Sequence, residues 1–275
     1  MFVDDESTRI SSIELARSNI VLLPDSICYL ASLSVLNVCC NKLSHISDSI
    51  EKLTCLTELS VGSNQLTRIP DWIGNLPSLI RLFVANNQLT FLPDSIGNLS
   101  CLDELDVSDN QLTELPDSIG NLTSLCDLSV GDNQLTLIPY WIVKLTSLTH
   151  LVVYSNHLTF LPDWIGNLSS LSYFNVFGNQ LVQLPDSIGN LVSLTYLSVY
   201  ENKLTHLPES IGNLSALTHL YAGNNNLSVL PDSMQSLTSL SWLDLYGNPI
   251  IYTERDRNEI TRRFSRAVLI IKMEL

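Results

Sequence analysis

The chain has 275 residues, 45% of them hydrophobic, which is enough to bury a core and too many for a disordered polymer. Against 28 Asp and Glu stand 14 Lys and Arg, giving a net charge of −14 and a pI of about 4.5. That balance excludes a nucleic-acid backbone as the expected partner, because phosphate binding needs clustered cations and six of the fourteen lie in the last 25 residues. No run of about 20 apolar residues is available to span a membrane.

The chain opens on MFVDDESTR, with acids where a secretory leader carries bases and no long apolar run behind them. Residues 1–9 are expected to form a short N-terminal cap and the protein to work in the cytoplasm. The cysteines, Cys28, Cys39, Cys40, Cys55, Cys101 and Cys126, all fall in the first half without metal-ligand spacing. They read as separate reduced thiols, which suits a reducing compartment. Glycosylation-like triplets such as Asn98-Leu99-Ser100 then read as by-products of a repeat.

From Ile10 onward the chain repeats itself every 23 residues without an insertion. Asn41, Asn64, Asn87, Asn110, Asn133, Asn156, Asn179, Asn202, Asn225 and Asn248 form one ruler; Ser18 stands where the ladder would begin. Prolines such as Pro93, Pro116 and Pro185 form a second ruler, with Ser47 filling its one gap. Eleven units start at Ile10, Leu33, Leu56, Leu79, Leu102, Leu125, Leu148, Leu171, Leu194, Leu217 and Leu240, and occupy residues 10–252.

Within a unit, positions 1, 4 and 6 (Leu102, Leu105 and Val107) are spaced like a half-buried strand. The apolar spacing then loosens through Leu112, Leu115, Ile119 and Leu122, predicting a turn and a short helical return. No unit buries its apolar side alone, so neighbours must stack into a continuous core. The position 9 amide both donates and accepts, so a stack of them can satisfy backbone groups where the strands turn. Proline suits the start of a helical turn, and the acid after it suits the positive end of that turn's dipole. Beyond Ile250 the pattern stops. Thr253 and Asp256 suggest a capping box, and Ile260, Phe264, Ala267 and Ile271 share one helical face, predicting a C-terminal capping helix over 253–275 with its basic residues on a solvated outer face.

The pattern LxxLxLxxNxLxxLPxxIxxLxx resembles the leucine-rich repeat family, in its intracellular 23-residue LPxxIxxL form. It is similar to the repeats of Ras-group proteins and of effectors of intracellular bacteria. The resemblance implies an α/β horseshoe solenoid, with parallel strands on the concave face, short helical turns on the convex face and a partner bound in the concavity. It also implies a non-enzymatic, protein-binding module needing no cofactor, either cytoplasmic or delivered into a host cell as an effector. The alternatives are the targeting domain of a larger enzyme such as a ubiquitin ligase, and a receptor for a carbohydrate or small ligand.

Positions 3, 5 and 7 point away from the core, so their columns carry whatever the framework does not require. In units five and six these and the adjoining position are acidic: Glu104, Asp106, Asp109, Asp127 and Asp132. In units seven to eleven they are aromatic: Tyr154, Tyr173, Phe177, Tyr196, Tyr200, Tyr221, Trp242 and Tyr246, with His150 and His219. At a strand spacing of about 4.8 Å the aromatics would tile roughly 20 Å of sheet. Such a patch marks an interaction site, although aromatic residues also suit strands and shield one another by stacking. Glu104, Asp106 and Asp127 repel one another, a cost that a basic segment of a partner would relieve. On the opposite side, Trp72, Trp141 and Trp164 replace the usual serine, either as packing between turns or as a second contact surface with Tyr140.

Enzyme chemistry finds no support. His150 and His219 stand three units apart, about 14 Å at strand spacing, too far to share a metal or a proton. Cys39 and Cys40 have no histidine nearby except His45, beyond the turn. Glu104 and Asp127 approach the spacing of paired glycosidase carboxylates, but on an open face rather than in a closed pocket. No phosphate loop, zinc spacing or nucleotide fingerprint occurs.

Overall fold

The computed structural model describes residues 10–251 and 253–270; the expected cap at 1–9 lies outside them. The chain divides into two compact units, Met1–Asp127 and Leu128–Leu275. In the first, the strands Ser12–Glu14 (β1), Val35–Asn37 (β2), Glu58–Ser60 (β3), Arg81–Phe83 (β4) and Glu104–Asp106 (β5) pair in parallel and in chain order. The division falls within Asp127–Ser129 (β6). In the second, the same order runs through His150–Val152 (β7), Tyr173–Asn175 (β8), Tyr196–Ser198 (β9), His219–Tyr221 (β10), Trp242–Asp244 (β11) and Val268–Ile270 (β12).

The register is the repeat itself: Val35 pairs Glu58 in the first unit and Tyr173 pairs Tyr196 in the second. Each strand is positions 3 to 5 of its repeat, so position 4 turns inward and its two neighbours outward. Leu36, Leu59, Leu82 and Leu105 are wholly buried in the first unit, as are Phe174, Leu197, Leu220 and Leu243 in the second. Phe174 fills its slot in place of the usual leucine.

Strands β1 to β10 each return through a five-residue 3₁₀ turn, such as Asp94–Asn98 or Asp186–Asn190. The proline stands just outside the turn, not at its first position as expected. Pro93 and Pro185 keep extended ψ values of 147° and 152°, and the acid that follows opens the turn. Ser47 replaces the proline by hydrogen bonding: its hydroxyl donates to Asp25 Oδ1 at 2.6 Å and accepts from the Ser49 N–H at 3.2 Å.

Between strand and turn stands the asparagine ladder. In the first unit, Asn64 Nδ2 donates to the carbonyls of Val38 (3.1 Å) and Val61 (2.9 Å), and its Oδ1 accepts from the Leu43 N–H at 2.9 Å. In the second, Asn179 repeats this with Val153 (2.9 Å), Val176 (3.1 Å) and the Leu158 N–H (3.1 Å). One side chain thus satisfies backbone groups of two consecutive repeats. Where Ser18 interrupts the ladder, Asn41 Oδ1 accepts from the N–H groups of both Ser18 and Ile20.

The residue before each ladder position is left-handed. Arg17, Cys40, Ser63, Asn86 and Asp109 have φ of 53–56° in the first unit; Asp132, Ser155, Glu201 and Asn224 join Gly178 and Gly247 in the second. On the turn side, glycine lets neighbouring turns close up: a Cβ on Gly189 would lie 2.4 Å from the Ser210 carbonyl oxygen. Val143 and Trp164 replace that glycine–serine pair between the turns at Tyr140–Lys144 and Asp163–Asn167, which approach one another less closely than the turns that follow them.

The C-terminal segment differs from its expectation. The helix Glu254–Arg263 (α1) buries Ile260 and the following Phe264, but the helical face does not continue to Ala267. The chain turns at 264–267 and forms β12, in which Val268 N–H donates to Ser241 and Ile270 accepts from Leu245. The physical reason is the edge of β11, whose backbone groups would otherwise stay unpaired. Arg263, expected on a solvated face, is half-buried: its guanidinium donates to the Pro231 carbonyl and lies 3.6 Å from Asp232. Ile271 lies outside the described residues.

Asn179→Ala takes the acceptor from the buried Leu158 N–H, while the Val153 and Val176 carbonyls keep Asn156 and Asn202 as donors, and is expected to cost about 2 kcal/mol. The exposed change His157→Ala should stay within about 0.5 kcal/mol. Urea denaturation followed by circular dichroism distinguishes the two.

Candidate functional site

In the first unit, β3 to β6 place Glu58, Arg81, Glu104 and Asp127 in consecutive position 3 slots. Arg81 turns to Glu58, its Nε 2.8 Å and its Nη2 2.7 Å from Glu58 Oε2. Glu104 pairs in register with Arg81 but is not its ion-pair partner. Burial first, and then the charge of Asp127, push the Glu104 carboxyl above the usual carboxylate range, with Arg81 opposing them. Asp106 is tied to its own turn, accepting from the Ser108 N–H at 3.0 Å. Beside them, a hydrogen bond to Asp103 and then burial push the Cys126 thiol up to about 11. The charges of Asp127, Asp106 and Asp103 all bear on Glu104.

In the second unit the aromatic columns assemble as two stacks. Along position 3, ring centroids run His150 to Tyr173 at 5.6 Å, Tyr173 to Tyr196 at 4.2 Å and Tyr196 to His219 at 6.2 Å. Tyr221 leans in from position 5, 5.2 Å from Tyr196 and 6.1 Å from Trp242. The second stack pairs Phe177 with Tyr200 at 5.7 Å. Apart from exposed His150 the stacked rings are half-buried, because each covers the face of the next. Burial, and then Tyr173, hold the Tyr196 hydroxyl well above its ordinary value.

Glycines at position 7 make room for these rings. A Cβ on Gly131 would fall 2.3 Å from the Tyr154 ring, and one on Gly223 would fall 2.7 Å from Tyr200 and 2.9 Å from Asp244 Oδ1. Asp244 is a residue that column reading overlooked. It is only 9% exposed, lies in register beside Tyr221 and accepts from the Tyr246 N–H at 2.9 Å. The signal available was a glycine in position 7 between two tyrosines, Tyr200 and Tyr246.

The turn-side tryptophans are mostly packing. Trp72 is buried with its Nε1 donating to Asp48 at 2.8 Å, and Trp141 is buried as well. Half-buried Trp164 meets the exposed Tyr140 edge-on at 5.5 Å. Of these three tryptophans and Tyr140, Tyr140 and Trp164 are the accessible ones. His150 and His219 each bond the neighbouring threonine hydroxyl through Nδ1, at 2.9 Å. Among the described residues no three His, Cys, Asp or Glu side chains converge as a metal site, and no helix is long and apolar enough to cross a membrane.

Stacked parallel strands, an asparagine ladder and 3₁₀ returns at a 23-residue period define a leucine-rich repeat protein. The chain belongs to that family: its leucine-rich repeat region description matches residues 80–163 and 156–258, and a leucine rich repeat description matches 8–66. Comparison with curated sequences finds no match. Among solved structures, a leucine-rich repeat protein of Leptospira interrogans is 27% identical, with 94% of this chain and 95% of that one covered and a TM-score of 0.53. The functional domain of InlJ from Listeria monocytogenes is 23% identical at a TM-score of 0.80, covering 95% of this chain and 53% of that one, and so shows the fold. The Arabidopsis receptor kinase HAESA, solved with the peptide hormone IDA and the co-receptor SERK1, is 29% identical at a TM-score of 0.77. That match covers 89% of this chain but 43% of HAESA.

Asp127→Asn removes the second-largest cause of the raised Glu104 pKa, so carboxyl-carbon NMR should show Glu104 titrating at lower pH. The sign for stability follows. Protonation of Glu104 favours the folded state below its raised midpoint, and that benefit is lost as pH rises through it, so the wild-type penalty at neutral pH shrinks in the variant. A second expectation concerns the thiols. Hydrogen bonds from Ser63 and then Cys39 lower the Cys40 pKa, whereas burial raises that of Cys39. Iodoacetamide at neutral pH should therefore label Cys40 before Cys39 and Cys126, as peptide mass spectrometry would record.

Proposed function

We propose that this protein is a non-enzymatic binding module that recognises another protein through the strand face of its repeats. The carrying observation is the pair of aromatic stacks in the second unit, built at positions the repeat framework does not use. Tyr154, Tyr173, Phe177, Tyr196, Tyr200, His219, Tyr221, Trp242 and Tyr246 anchor the partner. Glu104, Asp106 and Asp127 attract a basic segment of it, relieving their mutual repulsion. Tyrosine and tryptophan held half-buried lose little side-chain freedom on binding, which is what hot spots need.

HAESA, which holds a peptide hormone, supports reading this chain as one that binds a protein or peptide. A narrower form of this reading is a bacterial effector directed at a host protein and working in the host cytoplasm; the Leptospira neighbour is a bacterial leucine-rich repeat protein. That role is tested by affinity capture from host-cell lysate with mass spectrometry. Tyr173→Ala, Phe177→Ala and Tyr200→Ala should then each weaken the captured partner by more than about 2 kcal/mol, roughly 30-fold in Kd. Unchanged affinity in all three, measured by calorimetry on folded variants, would remove the strand face from consideration.

A further inference from the structure

Asp244 is the least comfortable charge on the strand face. It is 9% exposed, yet it sits on the outward side of β11 at position 5, directly beside Tyr221. One hydrogen bond reaches it, from the Tyr246 N–H to Oδ1 at 2.9 Å. Its second oxygen has no protein donor among the described residues and is not sealed from solvent. No Lys, Arg or His nitrogen among the described residues lies within ion-pair distance of it. A buried carboxylate with one donor is costly unless something supplies the missing charge.

The surroundings are aromatic. The Tyr200 ring crosses Gly223 next to Asp244 Oδ1, at a distance that leaves no room for even a methyl group. The Asp244 charge bears on the hydroxyls of both Tyr200 and Tyr221 and helps raise them, after burial. Trp242 stacks obliquely on Tyr221 from the same strand as Asp244. Aromatic faces attract cations, and the attraction strengthens when water is excluded. A half-enclosed carboxylate among such rings suits a cationic group with an apolar stem.

We propose that Asp244, with Tyr200, Tyr221 and Trp242, forms a receptor for an alkylammonium group, a lysine side chain of the bound partner. This rests on the protein-binding reading for the source of the lysine, and adds to it the point where the partner's charge is held. It is separate from the acidic cluster at Glu104, whose carboxylates are more open and collect a basic segment without enclosing it. Burial holds the Asp244 carboxyl above the usual range, with the Tyr246 hydrogen bond opposing it, as expected of a site lacking its counter-charge.

The test uses the full chain with ¹³C-labelled tyrosine rings, titrated at constant ionic strength with N-acetyl-lysine methylamide, tetramethylammonium and the neutral analogue 3,3-dimethyl-1-butanol. Expected are saturable shifts at Tyr200 and Tyr221 with both cations and none with the neutral analogue, and at least a tenfold weaker affinity in Asp244→Asn. If only tetramethylammonium binds, a quaternary amine replaces lysine and the proposal as stated is overturned. No saturation in the wild type, or equal affinity in Asp244→Asn, overturns the site altogether. Should Asp244→Asn not fold, Tyr221→Leu is read in the same way, since it removes a ring and keeps the carboxylate. An Asp244→Asn chain that binds the probes like wild type, while Tyr173→Ala still loses the captured protein, sinks this site and leaves the binding module standing. A wild type that holds the probes but captures no protein does the reverse.

Discussion

Everything in this molecule hangs from a bridging amide. Within each unit, ladder asparagines tie the carbonyls after two successive strands to the N–H of the preceding turn, as Asn64 does for Val38, Val61 and Leu43. A strand of three residues forms few ladder hydrogen bonds, so without the amide its backbone would leave the sheet with donors and acceptors unpaired. Because the amide reaches back one repeat, no repeat is complete without the next. That is why stability here belongs to pairs of neighbours rather than to single units.

This mutual dependence frees the outward columns. Once the ladder, the leucines and the turns fix the backbone, positions 3, 5 and 7 can hold acids in one stretch and rings in another without altering the register. The rings still adapt to one another. Tyr154 and Tyr200 lie flat only because Gly131 and Gly223 have no side chain, so the glycines at position 7 belong to the aromatic surface as much as the tyrosines do. The two stacks therefore behave as rigid platforms rather than as independent flexible residues, which reduces the ordering cost of any contact made on them.

Most of the framework was legible in the chain because it is periodic: strands, turns and ladder follow from spacing alone. What escaped reading depends on contacts that period does not encode. The proline of LPDSIGNL keeps an extended ψ and so stands just before the turn. Phe264 ends a helix that the apolar spacing carried on to Ile271, because the open edge of β11 takes up β12 instead. At the candidate site the identities of the aromatics were readable, but not their division into two stacks, which depends on how rings lean across the strands. Asp244 was overlooked for a related reason: an aspartate in an outward column looks solvated until Tyr221 and its neighbours are placed beside it.

The left-handed residues before the ladder leave one more trace. Glycine serves this conformation at Gly178 and Gly247, whereas Arg17, Cys40 and Glu201 adopt it at a cost of roughly 1 kcal/mol each. The fold carries these burdens because they are spread one per repeat and each is outweighed by the ladder beside it. In evolutionary terms they form a reserve. Single changes toward glycine or asparagine at this column can recover stability without touching a buried side chain, and that margin lets a lineage replace residues on the strand face and shift what it recognises.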